Sequence, residues 1–363
     1  MHPKAILYLL FAVLSSKGFT QTDSFRTYIA ADSQFIRHGK LHSFLLGKNY
    51  RTAWATPVIV NKFSLQHNGH HFTPVKTGGG LQTVSLHISD ESGNDWVLRS
   101  VQKNPANWVS PFWRKTFVKD IVQDQISGSF PYGALIVPVI ADALQIDHNN
   151  PELVLVNDDT ALGKFRGVFA NRLCFLEERN PKGKSISTEK LLQLKDSLPN
   201  IKIDSITYLK CRLMDIVIGD WDRHADQYRW YSKKFNDTLL YIPIPNDRDQ
   251  VFFHSGGLIP KTIIRLGFMR YLEGFNETVH NIKGFMQRGR SLDKKILIHF
   301  TELQWMAITY EVMSQLTDQV LHNAYARLPA EIRTGNTWLL KKMVVRRMQL
   351  KEVSPQYFQT IQH

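Results

Sequence analysis

Cysteine is scarce. The 363-residue chain has two, Cys174 and Cys211, both inside apolar runs. That excludes a disulfide framework and leaves two core residues, with a single bridge the most they could form. Beyond the N-terminal run, no stretch offers the roughly 18 apolar residues a membrane-spanning helix needs, so none is expected. Lys and Arg are spread out, although net charge is +13. Without a dense basic run and interleaved aromatics, nucleic acid is not an expected partner, while anionic surfaces and phosphorylated ligands stay open. Repeats and low-complexity segments are absent. The one glycine cluster, Gly78-Gly79-Gly80, lacks a closing Gly-Lys-Ser/Thr, which excludes a P-loop.

What is present divides into four parts. Residues 1–21 carry Lys4, an apolar run from Ala5 to Leu14, and then Ser15, Ser16, Gly18 and Thr20. That order reads as a secretory signal and places the mature protein in the periplasm. Residues 22–55 form an arm that packs on the core, with Tyr50 and Trp54 as anchors. Residues 56–180 read as strand-rich: Val58–Phe63, then alternating Leu81–Ile88 and Trp96–Val101 around a turn, with the glycines at the hairpin's entrance. Arg99 and Lys103 share a face with Val97 and Val101. A helix over 117–130 sets Asp120 and Asp124 four apart, one of them expected to pair with Arg99 or Lys103. Residues 181–363 read as mostly helical, with Ser205–Ile218, Thr301–Arg327 and Trp338–Lys351 as helices. With 43% hydrophobic residues, the chain has ample material for a core.

The densest chemistry lies at the start of that last part. Asp220-Trp221-Asp222-Arg223-His224-Ala225-Asp226 packs three carboxylates, an Arg and a His into seven positions. A hairpin then leads from Gln227 to Asp247-Arg248-Asp249. Its two ends meet, so both acidic clusters are expected at one site. Clustered carboxylates repel, and call for a cation, a phosphate–metal complex or arginine partners.

Gly219-Asp220-Trp221-Asp222-Arg223-His224 and Pro245-Asn246-Asp247-Arg248-Asp249-Gln250-Val251-Phe252 resemble the atypical protein-kinase-like superfamily, in the branch with an Asp-Arg-His catalytic loop. The resemblance implies an α+β, two-lobed fold with a strand-rich N-lobe and a helical C-lobe. It implies that Asp222 positions or deprotonates an acceptor hydroxyl. The metal position five residues on, Asn or Glu in that branch, is here Gln227, with only a neutral carbonyl to offer. Asp247 would hold the metal under the phosphates, since Phe252 follows at the spacing of the secretory kinases, with Asp249 the alternative. Gly78, Gly79 and Gly80 resemble the glycine loop, Arg99 stands where a phosphate-binding Lys is usual, with Lys103 the alternative, and Asp124 would be the helix's ion-pair partner. Asp220, Arg223 and His224 are read as structural residues of the loop. The implied cofactor is Mg²⁺ or Mn²⁺ with ATP or another nucleoside triphosphate.

Tyr50-Arg51, Trp54-Ala55-Thr56-Pro57-Val58, the three glycines, Lys119 to Gln125 and both acidic clusters also resemble a segment of Bacteroidota-type cell-envelope proteins. There it commonly sits behind a calcineurin-like metallophosphoesterase domain. The block Gly219-Asp220-Trp221-Asp222-Arg223 is one residue short of that enzyme's own motif and ends in His224, so a two-metal phosphoesterase site is not expected. Three functions stay open: an exported metal-dependent phosphotransferase acting on an unknown envelope acceptor, a nucleotide-binding pseudokinase, and a scaffold that binds a protein partner. Peripheral membrane contact is compatible with each.

Overall fold

Asp204 caps the central helix, Ser205–Ile218, by accepting from the Thr207 amide at 3.0 Å. Every residue from Tyr208 to Ile218 is buried, so the helix is surrounded on all sides and its polar members need internal partners. It stops at Gly219, which adopts φ 69°. A Cβ there would stand 2.5 Å from the Phe275 ring, so glycine is required both by conformation and by space.

The computed structural model describes residues 25–36, 39–67, 69–79, 83–103, 124, 126–266, 271 and 274–363. Its first part is a seven-stranded sheet. The strands are β1 (Arg26–Ile29), β2 (Val58–Phe63), β5 (Thr73–Gly78), β6 (Ser85–Ser89), β7 (Asp95–Ser100), β8 (Glu152–Val156) and β9 (Arg172–Glu178), in the order β1-β2-β8-β9-β7-β6-β5. Only β2 and β8 pair in parallel. A two-residue pair, β3 (Gln66–His67) and β4 (His70–His71), forms a small separate hairpin. Phe63, Leu86, Ile88, Leu98, Val154 and Cys174 pack into a satellite core closed by Leu162 and Phe169.

The second part is helical, with a four-stranded sheet in the order β10 (Ile186–Ser187), β12 (Tyr228–Phe235), β13 (Thr238–Pro245), β11 (Ile201–Ile203). The expected α+β arrangement, a strand-rich lobe followed by a helical one, is what the chain has. The main core spans both parts, from Trp54, Val58 and Phe130 to Met214, Trp305 and Tyr357. Cys174 and Cys211 are both buried and unbridged, one in each core.

The arm does more than pack. Its strand β1 extends the sheet beside β2. Tyr50 donates to the Phe252 carbonyl at 2.6 Å and Trp54 to that of Ser129 at 2.9 Å. The single helix expected over Thr301–Arg327 is two, Glu302–Gln315 and Asp318–Ala326, because Thr317 caps a new start by accepting from the Val320 amide. The last helix runs on from Thr337 to Gln362 with Pro355 inside it. Most of the helix expected over 117–130 lies outside the described residues. Ile126–Ala143 meets the length and apolarity of a membrane span, but is 78% buried within the protein. Its burial makes it core.

Candidate active site

The hairpin of β12 and β13 sets Tyr228 opposite Pro245, and the next link closes the gap between the acidic clusters. The Asn246 amide donates to the Gln227 carbonyl at 2.8 Å. Arg223, fully buried, donates to the carbonyls of Asn246 at 2.7 Å and Gln227 at 3.1 Å, with its guanidinium over the Tyr228 ring. One arginine thereby holds the loop after the central helix against the loop after β13.

Beneath it lies a buried ion network. Arg248 Nη1 reaches Asp215 Oδ1 at 2.5 Å and Asp220 Oδ2 at 2.7 Å. Arg212 pairs with Asp215 at 2.7 Å and Asp293 at 2.9 Å, and Tyr208 donates to Asp293 at 2.7 Å. Three arginines thus balance three carboxylates. Burial pushes the Asp220 carboxyl up to about 6, and Arg223 and Arg248 work against that rise. Asp220 belongs to this support and not to the open site.

Above the network is a cleft with about 710 Å³ of space, part of it open solvent. Arg99 and Lys103 approach from the sheet, and Asp247 and Asp249 from the loop after β13. Arg99 Nη1 lies 3.6 Å from Asp247 Oδ1 and its Nη2 3.4 Å from Glu177 Oε1. Lys103 Nζ lies 2.9 Å from Asp249 Oδ2. Burial would raise the Asp247 carboxyl, but Arg99, the Gln227 hydrogen bond, Lys103 and Arg223 outweigh it and hold it below the ordinary carboxylate range. Burial, reinforced by Asp247, raises Asp249 above that range against the pull of Lys103. Glu177 is raised by burial despite Arg99. Asp247 Oδ1 is buried with no hydrogen-bond partner, and its backbone sits at φ 54°, a left-handed conformation that Asp and Asn tolerate.

Asp222 is part-exposed, and Arg288 Nε reaches its Oδ1 at 3.0 Å. Asp222 is not among the described residues that line the cleft, whereas Asp247 and Asp249 are. Gln227 donates from its amide nitrogen to Asp247 Oδ2 at 3.3 Å, which sets its side chain beside that carboxylate. His224 is part-exposed, its Nε2 3.3 Å from the Gln227 amide nitrogen and its Nδ1 3.7 Å from Asp226.

Asp124 corrects an expectation. It pairs with Arg51 at 2.6 Å and His42 at 2.8 Å, both from the arm, and not with Arg99 or Lys103. The sheet cations take their partners from the cleft instead. Lys103 is itself buried in its pair with Asp249, so it and Arg99 both face the acidic loop. Gly78 ends β5 and Gly79 opens the turn to β6, with Gly80 outside the described residues. Thr83, from the far side of that turn, lines the cleft, whereas Gly78 and Gly79 are not among its described lining residues. Glu177 and Asn149, which also line it, were not singled out from sequence. The Glu177-Glu178 pair at the end of an apolar strand was the available signal.

No known family model matches the chain, and no curated protein does. Among the solved structures to which the chain is similar are two kinase or toxin–antitoxin proteins. The Helicobacter pylori proinflammatory kinase CtkA shares 9% identity at a TM-score of 0.46, over 82% of this chain and 97% of that one. The HipA, HipB and operator DNA complex of the Shewanella oneidensis MR-1 toxin–antitoxin system shares 10% identity at 0.35, over 80% of this chain and 74% of that one. At those scores neither assigns a role to any residue here.

Proposed function

We propose that the cleft is a kinase-like site that takes a nucleoside polyphosphate together with Mg²⁺ or Mn²⁺, in a protein exported to the periplasm. The observation that carries this is the pairing across one cleft: two cations from the sheet facing two carboxylates from the loop after β13, with Asp247 Oδ1 buried and unbonded. As it stands, Arg99 and Lys103 neutralise Asp247 and Asp249. A metal–polyphosphate complex supplies both opposite charges at once, so the cations can turn to phosphate oxygens and the carboxylates to the metal. Among the described residues no group of three or more His, Cys, Asp or Glu stands together as a metal site. Two carboxylates completed by phosphate oxygens and water are what Mg²⁺ commonly uses, so the residues present fit the ion. Bound there, the ion would offset phosphate charge. Asp247 is the ligand first in line, Asp249 the second, and Asp222 orients the hydroxyl of an envelope acceptor.

The contact of Arg288 with Asp222 favours a second reading, a nucleotide-binding pseudokinase or a scaffold, because a guanidinium occupies an oxygen that an acceptor hydroxyl would need. Calorimetry with ATP, with and without Mg²⁺ or Mn²⁺, separates these. Metal-dependent binding supports either nucleotide reading, phosphate transfer to an envelope fraction singles out the kinase, and no binding under either ion leaves only the scaffold.

A further inference from the structure

Away from the cleft, two short helices present their outer faces side by side. Lys40–Leu46 exposes Lys40, Leu41 and Phe44, and Lys48 follows it. Leu258–Arg265 exposes Leu258, Lys261, Thr262 and Arg265, with Leu266 just beyond, the spacing of one helix face. The large apolar side chains are strongly exposed: Leu41 72%, Phe44 64%, Leu258 52% and Leu266 68%. Residues 39–48 and 256–266 contain no Asp or Glu. None of the four cations has an ion-pair partner among the described residues, whereas the cations of the cleft and network are paired.

The two helices are fixed to each other. Gly47 and Gly257 both hold left-handed conformations, and a Cβ on Gly47 would stand 2.6 Å from the Gly256 carbonyl carbon. Asn49 reinforces the contact, accepting from the Gly256 amide at 2.9 Å and donating to Leu46 O at 3.2 Å. The patch is therefore built in advance. Large apolar groups interspersed with cations, on short helices whose opposite sides pack on the protein, match the interface of a bilayer with anionic lipid headgroups. Four cations with no acidic neighbour in either segment complement a surface whose fixed charges are phosphates.

We infer that this patch docks the protein on an anionic membrane surface. The apolar side chains enter the headgroup boundary while Lys40, Lys48, Lys261 and Arg265 meet lipid phosphates. The test is sedimentation of the protein, in the form recovered from cells, with sucrose-loaded vesicles of phosphatidylglycerol and phosphatidylcholine, against vesicles of phosphatidylcholine alone. Every protein compared has the N-terminus with which it is recovered from cells, the same in each variant, so differences between variants report the patch. Binding is expected to be stronger on the anionic vesicles and to fall about fivefold per unit of positive charge lost, with Lys261→Glu and Arg265→Glu each changing the charge by two units. Leu41→Ser with Phe44→Ser should weaken it while circular dichroism and melting stay unchanged. Lys190→Glu with Lys195→Glu, on an exposed face elsewhere, removes the same charge and should leave binding close to wild type. The inference is overturned if that control pair weakens binding as much as the patch variants. It is also overturned if anionic and neutral vesicles bind alike, or if size-exclusion chromatography shows a second copy covering the patch.

Discussion

The Arg223 guanidinium donates to the Asn246 carbonyl at 2.7 Å, and through that bond the loop carrying Asp222 holds the loop carrying Asp247. Replacing Arg223 by Ala takes one of two cations from Asp220, leaving Arg248, and removes this donor from the Asn246 carbonyl, while the Gln227 carbonyl keeps the Asn246 amide. The expected loss is about 3–5 kcal/mol of unfolding free energy, read from urea denaturation. A loss under about 1 kcal/mol would mean that the loops meet without it.

Asp247→Asn keeps the shape and the left-handed backbone but removes the charge. Metal-dependent ATP affinity is expected to fall at least about tenfold by calorimetry, with melting nearly unchanged. Asp222→Asn should hold affinity within about twofold, and, where phosphate transfer is seen, lower its rate about 100-fold. Equal effects of both changes on affinity would remove the division of roles between them.

Glu177 competes for Arg99. Its carboxyl is raised by burial, so Glu177→Gln costs little in the fold while freeing the guanidinium. ATP should bind severalfold more tightly to this variant. Weaker binding would show that Glu177 serves to aim Arg99.

His254 gives a pH signature. Burial, then Lys342 and Lys261, lower its imidazole from the ordinary range to about 4. The folded chain keeps it neutral at a pH where the unfolded chain has already taken a proton. Its contribution is thus present above about pH 6.5 and is lost as pH falls towards 4. His254→Phe should match wild type at pH 7. It should be the more stable by on the order of 2 kcal/mol at pH 4.5, measured by denaturation at both pH values. A gap independent of pH would show that His254 protonates inside the fold.

Export predicts that residues 1 to about 21 are removed. N-terminal sequencing of fractionated cells should find the mature protein in the periplasm. Recovery from the cytoplasm with Met1 retained would reject this.

Much of the backbone was legible because its signals are local. Val58–Phe63 and Ser205–Ile218 have the bounds read from the sequence. The meeting of the acidic clusters followed from hairpin geometry alone. The partners were harder, because pairing is decided by depth and reach across the fold. Asp124 looked like a mate for Arg99 by analogy of position, yet Arg51 lies 73 residues before it and His42 lies 82, outside any spacing rule. Glu177 was hidden among strand residues, and only the β7–β9 pairing brings it beside Arg99. The break at Thr317 was missed because apolar periodicity continued through it.

The Tyr50 hydroxyl ends on a carbonyl 202 residues downstream, and its ring stacks on Trp338 with the planes 8° apart. Closing so long a loop has an entropic cost that nearby contacts cannot offset early. Tyr50 therefore finds its native surroundings only once Phe252 and Trp338 are in place. Loosening the last helix at Trp338 would release the arm as well, although the two are far apart in the chain.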